Sequence, residues 1–269
     1  MPHADLTSPL PLTPAQIAHY REEGFLLLPQ AVAPEAILPF QPLVAAQWLA
    51  HKLDSRPLQQ RDTYGQAFTQ ALNLGRFDQQ ILQLSHAKRF AHLAAQLLGV
   101  DRVRMFLEEA FFKEPGSQVT PWHQDQSAVP FGSAQIVTLW IPLVPVQEPL
   151  GMLRFAARSH LDGAFGPPDI SAETDRTLGQ RIAEKNYPIV ATGPMQLGDI
   201  SAHAGWTMHS AGPNQTRTRR DVYSLHYFAD GARIAQPDNP SKQRILAFLA
   251  PELHDGDLAQ SPSWPLVFP

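Results

Sequence analysis

The spacing of apolar residues predicts a mainly helical first hundred residues. The predicted elements are a helix between Thr13 and Gly24, a short buried strand at 25–29, a helix from Pro34 to about His51, and a helical segment from about Phe77 to Leu98. Thr13 is a good N-cap, Pro14 fits the first turn, and Gly24 is a typical residue at a helix C-terminus. Residues 52–78 are polar and have no clear pattern.

From Val103 onward the pattern changes to short apolar runs separated by Pro and Gly. Strands are predicted at 103–113, 134–146, 152–155, 200–209 and 221–228, with a strand and turn at 194–199 and a short helix near 244–249. Several short strands with regular turn signals favour a barrel or jelly roll. The long stretch 160–187 has little apolar pattern, which is typical of a lid or substrate loop. We expect one domain over 1–269: a helical part (1–100), a jelly-roll core (101–230) and a tail (231–269).

The composition excludes several classes of protein. The chain has 269 residues, of which 43% are hydrophobic and 17% charged, as in an ordinary globular enzyme. A formal net charge of -4 gives no electrostatic footprint for nucleic acid or an anionic membrane. There is no cysteine, so disulfides, thiolate zinc sites and cysteine nucleophiles are excluded. No signal peptide and no run of about 18 apolar residues is found, so a cytoplasmic protein is expected.

The segment with the clearest candidate chemistry contains His123 and Asp125. On a strand, residues two apart point to the same face, so an imidazole and a carboxylate could bind one metal ion. That pair is two thirds of the two-histidine, one-carboxylate triad of non-haem Fe(II) oxygenases. By itself the motif is weak, because chance produces it often and a polar strand edge explains it equally well.

A triad needs a second histidine from a distant strand. The candidates are His160, His203, His209 and His226. His209 is favoured because it ends a strand at a Gly-Pro-Asn turn, eleven residues before Arg220. The guanidinium of Arg220 could hold a dicarboxylate cosubstrate through two hydrogen bonds. His203 is expected to share a strand face with His209 and to have a packing or supporting role, and His160 and His226 are expected to be structural.

Taken together, these segments resemble the phytanoyl-CoA dioxygenase family of Fe(II)- and 2-oxoglutarate-dependent oxygenases, which includes the ectoine hydroxylases. The matching segments are Leu12–Leu26, Phe112–Gly116, Trp122–Asp125, Gly198-Asp199, His203, His209–Asn214, Arg220 and the tail Pro251–Pro269. The resemblance covers most of the chain. It implies a double-stranded β-helix, a cupin-like jelly roll, with the N-terminal helices packed against it and iron at one mouth.

The resemblance also implies roles for single residues. His123, Asp125 and His209 would bind iron, and Arg220 would bind the distal carboxylate of 2-oxoglutarate. Lys113 matches a cosubstrate-contacting lysine of the ectoine hydroxylases, with a spacing that differs by one residue, and Trp140 is near a cosubstrate-contacting tryptophan. The family serine lies two residues after the distal histidine. Here Ala211 occupies that position, and Ser210 comes one residue earlier.

The expected reaction is the oxidation, most simply hydroxylation, of a small organic molecule in specialised metabolism. Fe(II), 2-oxoglutarate and O2 would be used, and succinate and CO2 released. Related halogenases lack the carboxylate, so Asp125 argues for an oxygenase. Six side chains are predicted to face the substrate: Leu107, Glu109, Phe111, Gln126, Phe131 and Trp206.

Beyond the substrate, no nucleic acid or membrane partner is expected, and the protein would be a monomer or homodimer. Two alternatives stay open. A cupin-type metalloenzyme without 2-oxoglutarate would need neither Arg220 nor Lys113. A jelly-roll protein that only binds small molecules would need no open metal positions.

Overall fold

The computed structural model describes residues 3–132 and 135–268. The helices are α1 (Ala4–Thr7), α2 (Pro14–Glu23), α3 (Pro34–Ile37), α4 (Phe40–His51), α5 (Thr63–Ala67), α6 (Gln79–Ser85), α7 (Lys88–Leu98), α8 (Ala172–Lys185) and α9 (Pro240–Leu249). The strands are β1 (Phe25–Leu28), β2 (Thr69–Leu72), β3 (Val103–Lys113), β4 (Thr120–His123), β5 (Ile136–Pro142), β6 (Leu153–Ala156), β7 (Ile189–Ala191), β8 (Ile200–Ala204), β9 (His209–Ala211), β10 (Arg220–Ala229) and β11 (Leu266–Phe268).

Two antiparallel sheets form the jelly roll. The large sheet has the order β1-β8-β5-β10-β3-β11, and β2 pairs with the other half of the β3 edge. The small sheet has the order β4-β9-β6-β7. This is the double-stranded β-helix predicted from the sequence. The connections place strands that are distant in the chain side by side, for example β1 beside β8.

The central strands of the large sheet alternate between two environments. On β10, Tyr223, Leu225 and Tyr227 point outward into the main hydrophobic core, where the N-terminal helices cover the sheet. The residues between them, including Ser224 and His226, point inward and line a cavity. Side chains on a strand alternate between faces, so one strand serves both the core and the site.

The helical layer is well capped at its start. Thr13 and Gln16 form a capping box at α2, and Gly24 ends that helix at φ 84°, a left-handed conformation that glycine adopts without strain. A Cβ on Gly24 would lie 2.4 Å from Nδ1 of His160, so this turn also needs the small residue for space. The predicted helix 34–51 divides into α3 and α4 at Pro39, and the segment 77–98 divides into α6 and α7 at residues 86–87.

Two predictions about local structure were wrong, and one unassigned stretch contains regular structure. The stretch 160–187 is not without pattern: it contains α8, whose Leu178 and Ile182 are buried one turn apart. Residues 52–78 contain α5 and β2. The predicted strand 200–209 is two strands, because a turn at 205–208 moves the chain from the large sheet to the small one.

The remaining differences are at element ends. The last helix begins at Pro240, capped by Asn239, rather than near Arg244. The predicted strand 134–146 begins outside the described residues at Ala134, and its described part is β5. Across 3–132 and 135–268, none of the helices has the length and apolar character needed to cross a membrane.

Candidate metal centre and cosubstrate cavity

Three potential metal ligands converge at the mouth of the jelly roll. Ligand atoms of His123, Asp125 and His209 all lie within 4.8 Å of one another. His123 ends β4 and His209 begins β9, and the two residues are paired across the small sheet. Asp125 lies in the short 3-10 turn directly after β4. The sequence predicted that His123 and Asp125 would lie on one strand. Instead, the strand ends at His123 and Asp125 lies in the turn that follows.

Backbone carbonyls fix the tautomer of both histidines. Nδ1 of His123 is 2.8 Å from the carbonyl of Pro121, and Nδ1 of His209 is 3.0 Å from the carbonyl of Thr207. A carbonyl only accepts, so each Nδ1 carries the proton and donates it. Each Nε2 therefore presents a lone pair toward Asp125, with Nε2–Oδ1 distances of 3.6 Å and 3.5 Å.

The electrostatics suit a bound cation. Burial lowers the pKa of both His123 and His209 to about 4. For His123, the nearby charge of His209 adds to this lowering. Both rings are neutral at pH 7, as metal ligation requires. Burial alone would raise the pKa of Asp125, but His209 and the hydrogen bond from His203 bring it well below its usual value. Asp125 is therefore ionised.

The two oxygens of Asp125 have different surroundings. Oδ2 accepts a 2.7 Å hydrogen bond from the Thr138 hydroxyl and lies 3.1 Å from Nε2 of His203. Oδ1 faces the two ligand histidines. Because Oδ2 is already occupied, Oδ1 is the oxygen left to coordinate a metal, in the manner of a single-oxygen ligand.

His203 and His226 contribute through this carboxylate. His203 is on β8 of the large sheet, not on one strand face with His209 as predicted, yet it points into the same space and contacts Asp125. His226 on β10 contacts Thr138, with Nδ1 3.0 Å from Oγ1. Sequence spacing could not find Thr138, because only the sheet register places it beside both histidines.

A cavity of about 490 Å³ extends from this centre between the two sheets. Its volume is within the range of about 300–1,000 Å³ that holds small-molecule ligands. Arg220 and Trp140 line one end, which we call the arginine end, and the guanidinium carbon of Arg220 lies 5.5 Å from the Trp140 ring centroid. Ser210 and Ala211 also line the cavity.

Arg220 is a buried cation with unused donors. Nη1 donates to the carbonyl of Gly151 at 2.7 Å, whereas Nε is buried without a partner among the described residues. Burial lowers the pKa of Arg220 to about 9, so the guanidinium is still charged at neutral pH. A buried unpaired guanidinium is costly unless an anion joins it. The arginine end therefore fits a carboxylate ligand.

Lys113 is not in the cavity wall as the sequence predicted. Its ammonium donates to the carbonyls of Ala67 and Gln118, at 2.7 and 2.6 Å. The lysine is fully buried opposite Arg220 on the neighbouring strand, and burial, followed by the charge of Arg220, lowers its pKa well below the usual value. Its role here is to join β3 to the segments after α5 and before β4.

The predicted substrate residues divide into two groups. Leu107, Glu109 and Phe111 line the cavity from the inner face of β3. Gln126 does not, because its side chain accepts a hydrogen bond from the backbone of Ile136. Phe131 is buried in a separate aromatic cluster, and Trp206 lies in the turn after β8, where its carbonyl accepts from Gln124. These three side chains do not line the cavity, since nearness in sequence to the motif does not make a side chain face it.

Other cavity residues come from segments with no motif. Tyr64, Phe68 and Gln70 come from α5 and β2, and Pro168–Ile170 come from the segment before α8. Ser241, Arg244 and Ile245 of α9 also line the cavity. Only the segment before α8 had been expected near the substrate.

A jelly roll whose mouth holds two histidines and one carboxylate, with a buried arginine in the same cavity, defines the class of iron- and 2-oxoglutarate-dependent oxygenases. Comparison with known proteins agrees. The chain belongs to the phytanoyl-CoA dioxygenase family, whose model matches residues 20–222. Its cofactors are accordingly iron and the cosubstrate 2-oxoglutarate, used with O2.

Relatives and solved structures support the same class. The non-haem alpha-ketoglutarate-dependent epimerase SnoN from nogalamycin biosynthesis is 25% identical, with 94% of this chain and 97% of that chain covered and a TM-score of 0.76. SnoN is also known in complex with Fe3+, alpha-ketoglutarate and nogalamycin RO. EctD from S. alaskensis is 18% identical, covers 88% and 83%, has a TM-score of 0.68, and shows the fold alone.

A curated relative matches over a shorter length. The protein described as "Probable alpha-ketoglutarate-dependent hypophosphite dioxygenase" from Stutzerimonas stutzeri is 24% identical over 154 residues. The match spans 55% of this chain and 53% of the relative, about half the length of each.

Proposed function

We propose that the protein hydroxylates a small organic molecule at a carbon–hydrogen bond, with His123, Asp125 and His209 as the iron ligands. The observation that carries the proposal is the convergence of two neutral Nε2 atoms and one free carboxylate oxygen. Three protein ligands on one side leave the remaining positions of an iron ion open for other ligands. Asp125 would supply the carboxylate ligand that related halogenases lack, which favours oxygenation over halogenation.

Arg220 holds the distal carboxylate of 2-oxoglutarate in this proposal. Its unpartnered Nε points to an anion that the chain itself does not supply. Trp140 packs beside the guanidinium and limits where the cosubstrate chain can lie. Ser210 is a further candidate contact because it lines the cavity. Lys113 is expected to act indirectly, by holding α5 and the segment before β4 against β3 next to Arg220.

The balanced reaction consumes one substrate, one O2 and one 2-oxoglutarate, and yields hydroxylated substrate, succinate and CO2. Bound iron and cosubstrate supply the oxidising power for this change. The chain's own residues orient the ligands and exclude water. The apolar lining from Leu107 and Phe111 keeps the substrate side dry, which strengthens the electrostatic contacts of Arg220 and Asp125.

Succinate release tests the proposal. Purified protein given Fe(II), ascorbate and 2-oxoglutarate should release succinate in step with substrate oxidation, and Asp125→Ala should not. The product should gain one oxygen atom by mass spectrometry. An unchanged mass would instead indicate an epimerisation such as the SnoN description names. Full turnover and iron binding by Asp125→Ala would rule the proposal out.

A further inference from the structure

Glu109 is a buried acid on the wall of the cavity, and it faces a histidine rather than a lysine or arginine. Its side chain comes from the inner face of β3 and is 8% exposed. In the described parts of the chain, its one ion-pair contact is His226, with Nε2 3.6 Å from Oε2, and no lysine or arginine lies within ion-pair distance. A carboxylate in such a position is costly unless a donor joins it.

The hydrogen bonds of Thr138 determine which nitrogen of His226 faces Glu109. The single proton of the Thr138 hydroxyl goes to the ionised Asp125, so Thr138 Oγ1 must accept from Nδ1 of His226. Burial lowers the pKa of His226, but Glu109 and then Asp125 raise it overall, so in the empty cavity the protonated ring faces Glu109 through Nε2 at 3.6 Å. When a cationic ligand takes over that contact, the ring is neutral and Nε2 carries a lone pair. Two acceptors, Nε2 of His226 and the carboxylate of Glu109, thus converge on one point of the cavity.

Three aromatic rings that pack on one another belong to the same cavity. Phe68 contacts Tyr64 and Phe111 with ring centroids 4.8 Å and 5.1 Å apart, each in an edge-to-face arrangement. All three line the cavity. The Tyr64 hydroxyl donates to Gln70. Burial, followed by the charges of Glu109 and Asp125, raises the pKa of Tyr64 well above its usual value, so the phenol stays neutral beside the carboxylate.

We infer that Glu109, His226 and the rings of Tyr64, Phe68 and Phe111 form a subsite for a protonated amine of the substrate. We call this group of residues the glutamate side. An ammonium group donates hydrogen bonds to both acceptors, neutralises Glu109, and is attracted to the faces of aromatic rings. The inference rests on the proposed function, because it names the substrate class of the same cavity.

The position of the subsite separates it from the cosubstrate. Glu109 pairs with Ser224 and Lys113 pairs with Arg220, so the two sites are four residues apart along β3 and β10. That separation is about 13 Å at about 3.3 Å per residue. The dicarboxylate is drawn to Arg220, and an amine is drawn to Glu109. Opposite charges therefore direct the two ligands to different parts of one cavity.

A set of three matched probes tests the subsite. Benzylamine, benzyltrimethylammonium and benzyl alcohol share one ring and differ in charge and hydrogen-bond donors. Each is titrated by calorimetry into the protein loaded anaerobically with Fe(II) and 2-oxoglutarate. We expect benzylamine to bind about tenfold more tightly than benzyl alcohol, the ratio for one charged hydrogen bond in a dry site. Glu109→Gln should abolish that preference.

Glu108→Gln is the matched control. Glu108 is the neighbouring buried acid on β3, but it does not line the cavity, and its Oε1 accepts from the backbone of Gly75. This variant should keep the preference for benzylamine. Phe68→Leu keeps the carboxylate and removes one ring, and it should weaken benzyltrimethylammonium about threefold. It provides a second test if Glu109→Gln does not fold.

The outcomes separate the two proposals. Equal binding of benzylamine and benzyl alcohol to the wild-type protein would overturn the amine subsite, as would a preference that survives Glu109→Gln. Failure to bind Fe(II) and 2-oxoglutarate would instead overturn the proposed function. In that case the same titration without metal and cosubstrate still decides whether the cavity prefers amines.

Discussion

The arginine end and the glutamate side of the cavity contain opposite buried charges and are built in different ways. Arg220 is the first residue of β10, eleven residues after His209, and both belong to one continuous motif. The glutamate side is assembled from α5 with the residue that follows it, β3 and β10, and only Glu109 and Phe111, two apart on β3, share a sequence pattern. The comparison indicates that the cosubstrate end is fixed by local chain geometry, whereas substrate preference depends on how distant segments meet.

The largest expected effect comes from the ligands that lie between the two regions. His209→Ala removes one of three ligand atoms and should lower iron affinity at least about 100-fold. Loss of a residue that only hydrogen-bonds to a metal ligand already costs about 10–100-fold, so loss of the ligand itself should cost more. Competitive titration with a coloured chelator measures the affinity. His160→Ala is the control, because His160 contacts the carbonyl of Arg21 away from the cluster. Equal iron affinities for the two variants would contradict the assignment.

Removal of the buried cation should affect the arginine end alone. Arg220→Leu should raise the KM for 2-oxoglutarate about 100-fold, since loss of one partner of a buried charge pair costs about 2–5 kcal/mol. Iron affinity in the absence of cosubstrate should be unchanged. Initial succinate rates at varied 2-oxoglutarate measure the effect. A KM within threefold of wild type, about 0.65 kcal/mol, would show that Arg220 does not bind the cosubstrate.

The support for Asp125 can be weakened without touching a ligand. Thr138→Val keeps the shape of the side chain and removes the 2.7 Å hydrogen bond to Oδ2. Iron affinity should fall about 10–100-fold, and Thr138→Ser should restore it. Ser224→Ala removes a hydroxyl from the same inner face and should leave iron affinity unchanged. If Thr138→Ser behaves like Thr138→Val, packing rather than the hydroxyl is what matters.

The smallest expected effect concerns stability and lies outside the cavity. Burial raises the pKa of Glu108 from 4.5 to about 8. The folded state therefore holds a proton that the unfolded state releases, and this group's contribution to stability is lost as pH rises from about 4.5 to about 8. Glu108→Gln should flatten that decline and gain on the order of 1–3 kcal/mol near pH 8. Urea unfolding at several pH values measures it. A parallel decline in both proteins would contradict the prediction.

The sequence predicted most of the fold because its patterns are local. Alternation on β3 placed Leu107, Glu109 and Phe111 on one face, and the Thr13–Gly24 signals bounded α2. A short motif and a turn signal also pointed to His123, Asp125 and His209, which the structure brings together. By contrast, residues 52–78 lacked a period because α5 and β2 are each only four or five residues long.

Sheet register is the information that the sequence lacked. Thr138 and His203 are paired on neighbouring strands, and His226 is paired with Thr138, so three residues far apart in the chain meet at Asp125. The turn at 205–208 places His203 in the large sheet and His209 in the small sheet. The spacing in the sequence had predicted one continuous strand for both. Gln126 and Trp206 were predicted to face the substrate but do not line the cavity. Closeness to the motif in sequence does not determine which way a side chain points.

The central claim is that this cavity binds iron and 2-oxoglutarate together, and anaerobic absorption spectroscopy tests it most directly. Wild-type protein titrated with 2-oxoglutarate in the presence of Fe(II) should develop a band at about 500 nm, set by the metal and its keto-acid ligand. His209→Ala should show no band, and Arg220→Leu should need far more cosubstrate to saturate it. Absence of the band from the wild-type protein would contradict the account.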